Sequence, residues 1–197
     1  MEIKIYIANL GKYNEGELVG KWVTLPVSEE ELEDVFVEIK LGYRDEDGDY
    51  HHGYVEKWER GGVLYDTFYE EMAIHDYEAP SGIKINEYDS ISNLNELAER
   101  LEAMPSYDKE NVEYLLDTGD YNFEEAMDKA ESGDFMLFHD CDDMSDVAYK
   151  YYEETGMMND IPVSLQGYID WEKVGRDMEI EGSFYRLSNR MYIQIYN

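Results

Sequence analysis

His139, Asp140, Asp142 and Asp143 crowd into one short run of the chain. An imidazole nitrogen and carboxylate oxygens could together hold a divalent cation, the oxygens suiting magnesium or calcium. A metal-dependent hydrolase centred on these residues is therefore one reading. The calcium-loop pattern fails, however. Counted from Asp140, the third acidic position falls on Met144 and no glycine follows it; around Asp45-Glu46-Asp47-Gly48 the glycine comes too early. More simply, Asp142 or Asp143 can cap a helix by accepting bonds from its unpaired N–H groups. His51 and His52 are adjacent, so in a strand they face opposite sides and make a poor metal pair. His75 reads as a packed histidine. Cys141 has no base nearby in sequence, and its acidic neighbours oppose thiolate formation. No phosphate-binding loop, dinucleotide fingerprint, nucleophile elbow or zinc spacing is present. We expect no catalytic residue, no metal and no cofactor.

The other chemistry available is electrostatic. The 197 residues hold 47 acids against 16 lysines and arginines, for a formal net charge of −31. Duplex DNA carries two charges per base pair, so this equals the charge of ~15 base pairs. Charge of this size pushes a compact state apart. It implies a basic partner and disfavours nucleic acid and anionic membranes. An acidic surface kept for solubility, or a halophilic source, would give the same total.

The spacing is more telling. Glu110, Glu113, Asp117, Asp120, Glu124, Asp128, Glu131 and Asp134 follow one another at intervals of three or four, with Glu125 beside them. From Asp108 to Asp146 there are 14 acids and two cations, Lys109 and Lys129. Like charges at i, i+4 destabilise a helix by ~0.2–0.5 kcal/mol a pair. A chain selected for stability alone would interleave lysine. Carboxylates ~5–6 Å apart on a helix face approximate the pitch of charge along a phosphate strand.

Residues 139–156 (HDCDDMSDVAYKYYEETG) supply the second acidic group. Met144, Val147, Ala148, Tyr151 and Tyr152 recur as one buried helical stripe, and Gly156 suits the left-handed position that ends a helix. Asp140, Asp142, Asp143 and Asp146 crowd its start, where the helix dipole favours negative charge. Glu153 and Glu154 sit in its last turn, where such charge costs up to ~1 kcal/mol each.

The elements that must carry these groups are legible. Ile3, Ile5 and Ile7 alternate with polar or small residues as a strand, and residues 21–25 read as a second. Residues 9–20 read as turns. Ser28 and Glu31 form a capping box before a helix that buries Leu32, Val35, Phe36 and Ile39. Asp47-Gly48 and Gly61-Gly62 are hairpin signals; residues 50–58, 63–69 and 72–77 read as strands. Residues 90–104 are helical, closed by Pro105. Residues 108–117 and 122–132 read as two short helices, 135–138 as a strand, and 162–174 as helix or turn. Residues 184–187 and 191–196, flanking Ser188-Asn189, read as a closing hairpin. The expected fold class is α+β, in three small domains: 1–90, a small sheet with a helix; 91–133, helical; and 134–197, α+β.

At 43% hydrophobic the chain can bury a core, so it is not a disordered acidic tail. One cysteine, Cys141, allows no intrachain disulfide, which fits a reducing compartment. No apolar run approaches the roughly 20 residues of a membrane span. The first residues lack a basic segment followed by a long apolar run, so no signal peptide is expected. The expected location is the cytoplasm.

Four separate segments carry a likeness to a known family. They are IYIANLGKYNEGELVGKWVTLP near the start, AIHDYEAP at 73–80, HDCDDMSDVAYKYYEETG at 139–156, and IPVSLQGYID at 161–170 with Gly175-Arg176-Asp177 after it. In this order they resemble the ArdA antirestriction proteins of conjugative elements. The resemblance implies a mimic of bent B-form DNA that occupies the DNA-binding groove of type I restriction-modification enzymes. It also implies an elongated homodimer of three small domains, dimerising through the C-terminal one. The chain departs from shorter members in residues 41–71, which look like an inserted aromatic hairpin. The expected partner-binding surface is then the ladder Glu110, Glu113, Asp117, Asp120, Glu124, Glu125, Asp128, Glu131 and Asp134, with Asp140, Asp142, Asp143, Asp146, Glu153 and Glu154. An acidic chaperone of basic proteins is the other non-enzymatic reading.

Overall fold

The computed structural model describes residues 2–187 and 190–196. Ser188 and Asn189, read as the turn of the closing hairpin, lie outside the described residues. The fold is α+β, and the chain divides into two compact units, 1–104 and 105–197.

The first unit is built on an antiparallel sheet. Strand β1 (Ile3–Asn9) lies between β2 (Gly20–Leu25) and, in sequence much later, β7 (Met72–Glu78). The alternation of β1 is the reason. Ile3, Ile5 and Ile7 are buried, while Lys4 and Tyr6 between them are half-exposed. Against β7 the register shifts between Tyr6 and Ile7, leaving His75 of β7 as the bulged residue, and beyond it Ala8 and Asn9 are both buried. Residues 9–20 do more than turn: they hold a short helix, α1 (Leu10–Asn14). Asn9 makes it possible. Its Oδ1 accepts from Lys12 N at 2.9 Å, and its Nδ2 donates to the Ile39 and Lys40 carbonyls at 3.0 and 2.9 Å. One buried amide thus caps α1 and takes the free carbonyls ending α2 (Glu29–Glu38), whose Ser28–Glu31 capping box forms as expected. Helix α3 (Ile91–Ala103) buries Ile91, Leu94, Ala98 and Leu101; beside it, Asn95 Oδ1 accepts from Val27 N at 2.7 Å.

Residues 41–71, expected as an inserted hairpin segment, form two ribbons that turn at the two hairpin signals, Asp47-Gly48 and Gly61-Gly62. Gly53, at φ 91°, breaks the strand run 50–58. Strands β3 (Gly42–Arg44) and β4 (Tyr50–His52) pair on one side of it; β5 (Tyr54–Arg60) and β6 (Val63–Tyr69) pair on the other. The left-handed φ is open to glycine and strained for other residues, and a Cβ there would also meet the Phe68 ring.

In the second unit, α4 (Ser106–Asp117) and α5 (Phe123–Ser132) pack on each other through Val112, Leu115, Ala126 and Met127, all buried. Gly133 closes α5 in the left-handed conformation. A second antiparallel sheet follows, ordered β8 (Phe135–Phe138), β10 (Tyr192–Ile195), β9 (Phe184–Arg186). Phe138, Cys141, Val147 and Tyr192 form its core with Met144 and Tyr151 of α6 (Met144–Glu154). Residues 157–174 contain a 3-10 turn (Met157–Asp160), α7 (Val163–Gln166) and the start of α8 (Trp171–Glu181). Helix α8 crosses α6 closely because Gly175 has no side chain to collide with the Met144 carbonyl. Trp171 meets Tyr149 and Tyr152 edge-on at 5.4 Å. No helix among the described residues is long and apolar enough to cross a membrane.

Candidate anionic surface

Buried faces decide where the carboxylates point. Val112, Leu115 and Leu116 turn one side of α4 inward, and helical geometry then carries Glu110, Glu113 and Asp117 to the other. In α5 the inward side is Phe123, Ala126, Met127 and Ala130; Glu124, Glu125, Asp128 and Glu131 lie outward. Of the fifteen acids expected to form the surface, all are exposed except Asp146, which is half-buried. Glu110, Glu113, Asp117 and Glu124 have no ion-pair partner among the described residues.

Several of the fifteen also serve the fold. Glu125 completes a capping box with Asn122. Asp143 caps α6, accepting from Ser145 N at 2.8 Å and Asp146 N at 3.3 Å; the Ser145 hydroxyl and these N–H groups hold its carboxyl below the usual range. Asp146 in turn accepts from Asp142 N at 2.9 Å, and Asp142 pairs with Arg190 at 2.6 Å. Asp120 accepts the Tyr185 hydroxyl at 2.5 Å, fastening the α4–α5 loop to β9 and pushing the tyrosine's pKa up. Glu153 accepts from Tyr149 at 2.9 Å. Of the crowded carboxylates after His139, Asp143 is thus a helix cap braced by Asp146, and α6 begins at Met144, five residues later than the charged run. His139 is exposed, and Lys150 bonds its backbone carbonyl. Burial pushes the Cys141 thiol up. Among the described residues no three His, Cys, Asp or Glu side chains are grouped to hold a metal ion.

The charge extends well beyond the fifteen. The first unit carries 25 acids and nine lysines and arginines, net −16; the second carries 22 and seven, net −15. Outward acids on α2 (Glu29, Glu30, Asp34, Glu38) and α3 (Glu96, Glu99, Glu102) match those of α4 and α5. Much of it sits where helices resist it. The last turns of α2, α4, α6 and α8 contain no basic residue. They hold Glu38, Asp117, Glu153 with Glu154, and Glu181. A carboxylate at a helix C-terminus forfeits the ~0.3–1 kcal/mol that a cation would gain there.

One charged cluster is of the opposite kind. Lys12, in α1, is a buried ammonium with its side chain 4% exposed. It pairs with Glu56 of β5, with Glu15 at 3.3 Å and with Glu17 at 3.6 Å, and lies over the Tyr69 ring. Lys40 pairs with the same Glu56 at 2.5 Å, and the Tyr69 hydroxyl donates to Glu15 at 2.8 Å. Hydrogen bonds from Lys12 and then Lys40 lower the Glu56 carboxyl to about 2, and the bond to Glu56 raises Lys12 in turn. The cluster fastens the root of the β5–β6 ribbon. Sequence spacing gives no sign of it, because its members lie up to 57 residues apart.

The family model for antirestriction protein (ArdA) matches residues 5–192. That is nearly the whole chain, and the chain belongs to this family. No curated protein matches it.

Proposed function

We propose that this ArdA chain performs antirestriction by presenting carboxylates in place of DNA phosphates to the DNA-binding groove of a type I restriction-modification enzyme. The observation that carries this is charge kept against the fold's own interest. Carboxylates line the outer faces of successive helices, with one lysine each in α4, α5 and α6, and occupy last turns where the dipole opposes them. Fixed anions at near-phosphate spacing can steer and hold a basic groove without any chemistry. The fifteen acids named above act collectively in this reading, with Glu110, Glu113, Asp117 and Glu124 exposed on the outer faces of α4 and α5. The acids of α2 and α3 give the first unit an acidic face of the same kind. A chaperone of basic proteins would share the charge but would not distinguish a restriction enzyme from a histone.

The test is titration of the protein against the enzyme bound to a duplex carrying its recognition site. We expect stoichiometric displacement of DNA, competitive with it, whose midpoint rises steeply with salt as small ions replace carboxylates in the groove. Inhibition that survives saturating DNA, or a flat salt dependence, would remove the electrostatic mechanism. Equal binding to histones would favour the chaperone.

We also propose a homodimer formed through the C-terminal part of the chain. Val163 is 83% and Tyr168 87% exposed, with Leu165 and Met157 exposed nearby. From Met157 to Tyr168 the only acid is Asp160, so like-charge repulsion between copies is small along this stretch. Exposed apolar clusters of this kind mark contact surfaces. Sedimentation should give a dimer that Tyr168→Asp with Val163→Asp converts to monomer; an unchanged mass would refute the placement.

A further inference from the structure

The β5–β6 ribbon is built unlike the rest of the surface. Two strands pair only with each other, and an isolated ribbon of this kind is marginally stable in water. It nevertheless exposes large apolar side chains on both faces. Trp58 and Tyr65 lie on one; Val55, Leu64 and Phe68 lie on the other, Leu64 being 74% exposed. Its charge is balanced: beyond the engaged Glu56, Lys57 and Arg60 offset Glu59 and Asp66. The aromatic pair is also fixed in place. The Trp58 and Tyr65 rings stack at 4.6 Å, 18° from parallel, and the indole N–H donates to Thr67 Oγ1 at 3.0 Å. Buried ion pairs at one end and locked aromatics along the length hold an apolar ribbon out in solvent.

We propose that this ribbon is an apolar anchor contributed by the first unit, docking on an uncharged patch of the same DNA-binding protein that the carboxylates engage. The inference rests on the function proposed above. Area selects the occupant. Seven residues by two strands present about 23 by 10 Å on a face, roughly 230 Å². A stable interface standing alone needs ~800 Å² from each partner. The ribbon is thus too small to hold a second copy of the chain, and fits an apolar patch inside a larger contact. Composition agrees. Interface centres are depleted in net charge and enriched in Trp, Tyr, Phe and Arg, and a neutral ribbon brings no unpaired carboxylate to be desolvated there. Electrostatic contacts set rate and orientation, whereas rigid aromatic anchors carry a disproportionate share of affinity.

The experiment compares the parent protein, Trp58→Ala with Leu64→Ser, and Leu64→Ser alone. Each is titrated against a type I restriction-modification enzyme on its recognition duplex, at low and at moderate salt. We expect the double variant to raise the displacement midpoint about tenfold or more, as loss of an aromatic anchor does. The factor should be the same at both salt concentrations, because an apolar contact is not screened. Leu64→Ser, at the exposed tip, cannot disturb the core and should raise it about threefold. Variants that displace DNA as well as the parent would overturn the anchor while leaving the charge mechanism standing. A parent that fails to displace DNA would remove both. A change in sedimenting mass in the double variant would make the ribbon a self-contact and overturn the proposal.

Discussion

Replacing Glu110, Glu113, Asp117, Asp120, Glu124 and Asp128 together by their amides should weaken binding to the enzyme roughly 10²- to 10⁴-fold and leave the protein as stable as before, or more so. Each exposed carboxylate paired with a groove cation is worth ~0–1 kcal/mol, so Glu113→Gln alone should change affinity by less than tenfold. Six such losses together reach several kcal/mol, short of full additivity because neighbours on one helix face couple. Stability should move the other way, because like charges at i, i+3 and i, i+4 on α4 and α5 repel one another. The amide at 120 keeps an acceptor oxygen for the Tyr185 hydroxyl, so the loop bond to β9 survives. Glu125 is left out of the set because its side chain caps α5. The checks are the melting temperature and the DNA-displacement midpoint of single and sixfold variants. An acidic coat kept for solubility predicts no binding loss. A single substitution that abolishes inhibition in a folded protein would sink the collective mechanism.

The ladder could be seen in the sequence because helix position and charge both follow local rules. Val112, Leu115 and Leu116 set the inward side of α4, so the outward acids could be counted without knowing what the helix packs on. The same holds for the alternation of Ile3, Ile5 and Ile7 and for the Ser28–Glu31 and Asn122–Glu125 caps. What stayed hidden depends on contacts distant in sequence. Helix α1 exists because Asn9 bonds the end of α2, some thirty residues on. Glycines at 53 and 175 carry no local signal of their roles: one splits a ribbon, the other lets α8 meet α6. The acids after His139 look alike in the sequence, and only the cap geometry separates Asp143 and Asp146, which serve α6, from Asp140. Most of all, no spacing rule connects Lys12 to Glu56.

That connection carries the second large effect. Lys12→Met should destabilise the first unit by about 3 kcal/mol, since removing one partner of a buried ion pair leaves the other uncompensated. Methionine nearly preserves the volume but leaves Glu15, Glu17 and Glu56 without their common cation. Glu56 keeps Lys40, and its side chain is 26% exposed, which places the loss at the low end of the usual range for such pairs. For about a hundred residues this is a fall of roughly 10–20 °C in melting temperature. Lys40→Met should do far less, because its side chain is 38% exposed and its ion pair is screened by solvent. The pH dependence has a definite sign. Glu56 is lowered from its ordinary value near ~4.3 to about 2, so its contribution is present above that ordinary value and lost as pH falls through 2. Lys12 is raised, so its share is complete below its ordinary value near ~10.4 and fades only in stronger alkali. The gap between parent and Lys12→Met should therefore be full between about pH 5 and 10 and shrink toward pH 2. Amide exchange in β5 and β6 should quicken in the variant, since Lys12 and Tyr69 hold the root of that ribbon. A melting gap that persists undiminished at pH 2 would mean that Lys12 stabilises through packing of its methylenes, and the ion-pair account of the ribbon's anchorage would fall.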